Sequence, residues 1–156
     1  MEFKDLADIM FKDVYETPEM IERMYPERNL SDNAIVTRYA PSPTGFVHMG
    51  ALFASFNERI MAKQSNGVFY LRNEDTDQAR TVEGAVEFID HVLHHYDIAP
   101  SEYELNGKIH GAYGPYIQSE RKEIYHAFIK HLIEMGRAYP CFLTPEEEEE
   151  IREIQT

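Results

Sequence analysis

The sequence predicts an α/β fold built on a parallel sheet, and three observations carry that expectation. "AIVTRYA" at 34–40 is a β-branched, aromatic run bounded by turn formers. "VFYLRNED" at 68–75 begins with four apolar residues in succession, as a strand buried on both faces of a parallel sheet does. Apolar residues recur at helical spacing after each of these runs. The order strand, helix, strand, helix is that of a βαβ unit, with a right-handed crossover expected.

In chain order, residues 1–33 read as a helical leader packing against the domain that follows. Leu6, Ile9, Met10 and Val14 fall on one helical face, and "TPEMIERM" suggests a second short helix before a polar turn. The first strand ends in "YAPSPTGFVHMGA" (39–51), a break rich in Pro and Gly. A helix then begins near Gly50, with Leu52, Phe53, Phe56, Ile60 and Met61 as its stripe and Asn66-Gly67 as its stop. After the second strand, a helix from about Thr81 carries Ala85, Phe88, Ile89, Val92, Leu93 and Tyr96. Residues 97–116 are loop-rich, with room for one or two short strands. Ser119 is placed to cap the next helix, whose stripe is Tyr125, Phe128, Ile129, Leu132 and Ile133, ended by Gly136. "AYPCFL" suggests another strand, and "TPEEEEEIREIQT" opens a helix with Thr144 as N-cap, Pro145 first inside and Glu147 closing a capping box.

The 156 residues, 43% hydrophobic, suffice for one ordinary domain with a core. The single cysteine, Cys141, allows no intrachain disulfide and points to a reducing compartment, so a cytoplasmic location is expected. No apolar run approaches the roughly 18 residues of a membrane helix, and the acidic, amphipathic N-terminus lacks the apolar stretch of a signal peptide. A net charge of −13 argues against nucleic-acid binding by bulk electrostatics, because phosphate contacts demand local positive charge.

Chemistry concentrates at two places. The 39–51 break is the first β-to-α crossing, where open α/β sheets bind ligands at the carboxyl ends of their strands. Gly45 and Gly50 allow close backbone approach, and the free N–H groups of a helix start favour phosphate. His48, one step before the helix, can donate to phosphate oxygens. The break is neither GxxxxGK[ST] nor GxGxxG, and its residues also suit a purely structural turn. "LRNEDTDQAR" (71–80) sets Arg72, Glu74, Asp75, Asp77 and Arg80 at the end of the second strand, where carboxylates can hold an ammonium or a ribose hydroxyl or simply cap a helix. Arg38 is the one charge of the first strand, and alternation does not say whether it meets solvent or an anion.

Together, "VTRYAPSPTGFVHMGA", "LRNEDTDQART" and "GPYIQSERKEIYHAFIKHLIEMGRAYPCF" resemble bacterial glutamyl-tRNA synthetases, a class I family, over about residues 34–147. The resemblance implies a Rossmann-like nucleotide-binding fold, its first half spanning 34–156, with an inserted acceptor-binding region beginning in 100–156. "HMGA" matches the family's first ATP motif, HIGH: it places His48 and Gly50 at the reacting phosphates, with Thr44 and Ala51 in the same ATP site. Arg38 matches the arginine that takes the side-chain carboxylate of L-glutamate. Ala40 and Ser42 match positions lining that site, and Glu74 matches the acid receiving the α-ammonium. "QSER" (118–121) matches a motif near the start of the insertion, with no role assigned. The implied substrates are ATP with Mg2+, L-glutamate and tRNA(Glu), with no membrane partner.

Departures are visible. Met49 and Ala51 replace Ile and the second His of HIGH, Asn73 replaces the Ile before the acid, and Tyr96-Asp97 replaces a Trp-Asp pair. The Cys-x-Cys with which some members bind zinc is reduced to Cys141, so zinc is not expected. Nothing resembles the lysine-rich KMSKS loop or an anticodon-binding region, so the chain reads as part of a longer enzyme, inactive by itself. Rival readings are a glutamyl-transferring paralogue that modifies a tRNA nucleoside, a small-metabolite nucleotidyltransferase, and a non-catalytic module. The paralogue usually has Ser at the place of Thr44 and Leu at that of Thr76.

Overall fold

In the computed structural model, which describes residues 2–155, β1 (Val36–Tyr39) pairs in parallel with β2 (Val68–Leu71) across α3 (Met49–Gln64). The register places Thr37 beside Phe69 and Tyr39 beside Leu71 on one sheet face, and Arg38 beside Tyr70 on the other. The ladder runs on past the strands: Arg72 N–H donates to the Tyr39 carbonyl (3.0 Å) and Glu74 N–H to that of Pro41 (2.9 Å). α4 (Ala85–His95) follows β2, and Glu102 then bridges Tyr70 in parallel, extending the sheet on the far side of β2. Residues 97–116 thus hold the short strands expected of them, and the first adjoins the parallel sheet through the bridge at Glu102. β3 (Tyr103–Leu105) and β4 (Lys108–His110) form an antiparallel hairpin, with Asn106 and Gly107 at φ 51° and 70° as a type I′ turn requires.

Two compact parts make up the chain: Glu19–Tyr125, which holds both sheets, and Met1–Pro18 together with His126–Thr156. The predicted leader is thus shared between them. α2 (Pro18–Met24) leads to Arg28, whose guanidinium donates to both carboxylate oxygens of Glu102 while stacking 3.8 Å from the centroid of the Tyr113 ring. α1 (Phe3–Met10) belongs to the other part, where Lys130 binds Asp8 at 2.9 Å and donates to the Val14 carbonyl at 3.1 Å.

Several apolar stripes do not face the core. In α1, Ile9 is 67% exposed and the buried residue is Ala7. In α3, Phe53 is 70% exposed, and Phe56 and Met61 face outward too; of the expected stripe, Leu52 packs against the core and Ile60 is half-buried, while the fully buried residues are Ser55 and Ala62. Small side chains bring the helix backbone close enough for Thr37 Oγ1 to donate to the Glu58 carbonyl at 2.9 Å. Bulky residues on that side would hold helix and sheet apart. β2 is buried at Phe69 and Leu71 but only half-buried at Val68 and Tyr70, so one face, not two, carries the core of Leu71, Ile89, Leu93 and Ile98.

Helix ends follow the turn chemistry more closely. Asn66 N–H donates to the Lys63 carbonyl and Gly67 N–H to that of Ala62, a Schellman ending with Asn66 left-handed at φ 53°. Gly67 is demanded by packing instead: a Cβ there would lie 1.9 Å from the Ile35 carbonyl oxygen. α4 starts at Ala85, later than expected, after a 3-10 turn at Gln78–Arg80. α5 (Lys122–Glu134) buries Ala127 and Ile133 and leaves Phe128, Ile129 and Leu132 exposed. Residues 138–143 form no strand, as Pro140 lacks an N–H and no strand edge is paired with the segment. α6 (Pro145–Gln155) has the expected capping box: Thr144 N–H donates to Glu147 Oε2 (2.7 Å), and Glu147 N–H to Thr144 Oγ1 (3.2 Å).

Two stability predictions follow from these contacts. Asn73 is 1% exposed, and neither its Nδ2 nor its Oδ1 has a hydrogen-bond partner among the described residues. Asn73→Ile removes this buried amide and should raise stability by about 1 kcal/mol or more, read as a higher unfolding midpoint. Glu102 is the second case. Burial would raise its carboxyl, but the Arg28 and Tyr116 hydrogen bonds outweigh this and hold it below its ordinary 4.5. A depressed carboxyl stabilises the fold above its unfolded value, so this contribution is complete at neutral pH. It is lost as pH falls from about 4.5 through the folded value. Glu102→Gln should cost about 2 kcal/mol at pH 7 and flatten the acid limb of a midpoint-against-pH curve.

Candidate functional site

The turn after β1 is pinned from both sides. Pro43 is buried, its carbonyl accepts from Val82 N–H at 2.9 Å, and the Ser42 carbonyl accepts from Thr44 N–H at 2.8 Å. A cavity of about 260 Å³ opens beside it, lined by Ser42, Thr44, Gly45, His48 and Ala51, with Tyr39, Phe46, Val47 and Ile89 as an apolar wall. Ser42, Thr44, His48 and Ala51, named from separate points of one motif, thus meet at one surface. The apolar wall was missed, since only folding brings Ile89 of α4 to it. Burial, and next the Glu58 charge, push the Tyr39 hydroxyl above its ordinary range, so this wall is neutral at physiological pH.

His48 is the N-cap of α3, and its Nδ1 accepts from Ala51 N–H at 3.3 Å. An accepting Nδ1 puts the proton of the neutral ring on Nε2, leaving that atom as a donor away from the helix. Gly50 shapes the same ring: a Cβ there would sit 3.2 Å from both His48 Cε1 and Nδ1. A Cβ at Gly45 would meet nothing within 4 Å, so no approach inside the protein requires glycine there. The helix start adds N–H groups without intrahelical acceptors and the positive end of the dipole.

The second cluster lies on the sheet face opposite α3. Alternation along the ladder puts Arg38, Arg72 and Glu74 on that face. Arg38 Nη1 is 3.6 Å from Glu74 Oε1, and Arg72 Nη2 donates to the same oxygen at 3.1 Å. The Arg38 and Glu74 side chains are 40% and 34% exposed, so their attraction is loose and solvent-screened. Each remains available to a ligand of opposite charge. Ala40 sits between the clusters at the end of β1, half-buried and without a polar side chain. Among the described residues, no group of three or more His, Cys, Asp or Glu is placed to hold a metal ion.

The family model for tRNA synthetases class I (E and Q), catalytic domain, matches residues 34–156. The chain belongs to this family. Two of its relatives are the glutamate–tRNA ligases of Acetivibrio thermocellus, 52% identical, and Clostridium perfringens strain 13, 48% identical. Each aligns with 99% of this chain, which spans only 29% of the relative's length. The crystal structure of a glutamate tRNA ligase from Elizabethkingia meningosepticum, in complex with its amino acid, superimposes with a TM-score of 0.69 at 38% identity, over 79% of this chain and 24% of that one. The parallel α/β architecture is thus the class I catalytic fold. The alignment with both ligases takes in the leader, which lies outside the 34–156 match.

Proposed function

We propose that this chain supplies the ATP- and glutamate-binding half of a glutamate–tRNA ligase. The observation that carries the reading is the pairing of opposite charges, Arg38 and Glu74, 3.6 Å apart, with the Glu74 backbone bonded to Pro41 of the turn that leads to the His48-capped helix. L-Glutamate is complementary to that pair. Its side-chain carboxylate suits the planar fork of Arg38, which selects Glu over Gln, and its α-ammonium suits Glu74. Ala40 and Ser42 line the amino acid. ATP takes the cavity at Thr44, His48 and Ala51, with Gly50 against the His48 ring outside its lining.

The chemistry joins a carboxylate oxygen of glutamate to the α-phosphorus of ATP and expels pyrophosphate, giving glutamyl-adenylate for transfer to tRNA(Glu). No strong protein acid or base is needed, so positioning and charge stabilisation do the catalysis. His48 Nε2–H and the first N–H groups of α3 would face the oxygens on which negative charge grows. Mg2+ enters with the nucleotide, neutralising part of its phosphate charge; we assign it no protein ligand, and zinc no site.

A cytoplasmic setting agrees with this reading, and no helix among the described residues is long and apolar enough to cross a membrane. The test is charging of tRNA(Glu) with labelled L-glutamate by the polypeptide that carries this sequence at its native length. ATP-dependent charging supports the reading. Failure to charge with glutamate, at any tRNA concentration, sinks it.

A further inference from the structure

The acid motif and "QSER" are joined by a clasp whose function the resemblance leaves open. Asp75 follows Glu74 directly, and its Oδ1 accepts from Ser119 N–H at 2.9 Å while its Oδ2 accepts from Ser119 Oγ at 2.5 Å. One residue thus satisfies both oxygens of a carboxylate 44 positions away. A short parallel ladder supports the clasp: Asn73 N–H donates to the Tyr116 carbonyl at 2.9 Å, and Gln118 N–H to the Asn73 carbonyl at 2.8 Å. Gln118 Oε1 accepts in turn from Tyr125 Oη at 2.8 Å, tying the segment to α5. On its other side, Glu74 donates its N–H to the Pro41 carbonyl.

The backbone of Glu74 is therefore held between the nucleotide-site turn and the Asp75–Ser119 clasp. Among the described residues, its own carboxylate is steadied by Arg72 and, loosely, Arg38. An α-ammonium recognised by one carboxylate needs that carboxylate within a fraction of an ångström of its place. We infer that Asp75 and Ser119 are positioning residues that hold Glu74 in register for the amino group of the substrate. Neither touches substrate. The inference rests on the proposed role of Glu74, and Ser119 serves here in place of the helix cap expected from sequence.

The test is steady-state charging kinetics of the native-length polypeptide, with KM measured separately for glutamate and ATP. Asp75→Ala should raise the glutamate KM roughly tenfold to a hundredfold, with the ATP KM within about twofold of the parent. Asp75→Asn keeps an oxygen for the Ser119 N–H and an amide for its hydroxyl, and should restore most of the loss. If Asp75→Ala lowers the yield of folded protein, Ser119→Ala carries the test, with a smaller rise in the same constant. An unchanged glutamate KM in the folded variants, or equal rises for glutamate and ATP that Asp75→Asn does not relieve, overturns the inference. Glu74→Gln run in parallel separates the two levels. If it leaves the glutamate KM unchanged, the role of Glu74 falls and the inference with it; if it raises KM while the clasp variants do not, the inference alone falls.

Discussion

Arg38→Ala is expected to lower kcat/KM for glutamate roughly a thousandfold, about 4 kcal/mol, while leaving the fold intact. The size follows from the arginine's position. Arg38 lies on the sheet face opposite α3, its nearest acid is 3.6 Å away, and its side chain is 40% exposed. No core contact is lost with it, so the unfolding midpoint should move little. A bound substrate carboxylate, in contrast, would be left desolvated without its cation. Glu74 would also lose a neighbouring positive charge, leaving Arg72 as its partner at 3.1 Å. Arg38→Lys should recover only part of the loss, since an ammonium cannot offer two parallel donors to one carboxylate. Charging by Arg38→Ala at the parental rate would remove this residue from the amino-acid site.

His48→Ala is expected to cost about 2.7–4 kcal/mol in the activation step, the loss typical of a donor to developing negative charge. The ring is oriented by its own backbone neighbourhood. Nδ1 caps α3 through Ala51 N–H, which commits the proton of the neutral imidazole to Nε2. His48→Asn provides the informative comparison, because Asn is among the best N-caps yet cannot place a donor where Nε2 stands. It should keep the stability of α3 and still lose the rate. Gly50→Ala attacks the same geometry from the other side, its Cβ pressing on the ring at 3.2 Å although Ala favours helix by about 1 kcal/mol. Stability should hold or rise while activity falls. A normal pyrophosphate-exchange rate in His48→Ala would exclude the imidazole from the phosphate site.

Features set by neighbouring residues were legible in advance. The Thr144–Glu147 capping box and the stop at Asn66-Gly67 depend on chemistry within a few positions, as does the strand–helix–strand order, and the structure has each of them. Apolar stripes were less reliable. Periodicity finds the face with the most hydrophobic atoms, but the residues α3 buries fully are Ser55 and Ala62, whose small side chains suit the close approach of its backbone to β1 at Thr37. Phe53 was misassigned for this reason, and Ile9 because α1 buries the small Ala7 instead.

The sequence by itself determined the α/β class, the turn that places His48 at a helix start, and the family to which those motifs belong. Only the tertiary structure decided that Arg38 and Glu74 share a face, that the side-chain amide of Asn73 is buried with no hydrogen-bond partner among the described residues, and that Ser119 grips Asp75 instead of capping a helix. These depend on strand register and on contacts between residues tens of positions apart. Slipping a strand by one residue would turn Arg38 to the opposite face, and no local pattern records that choice.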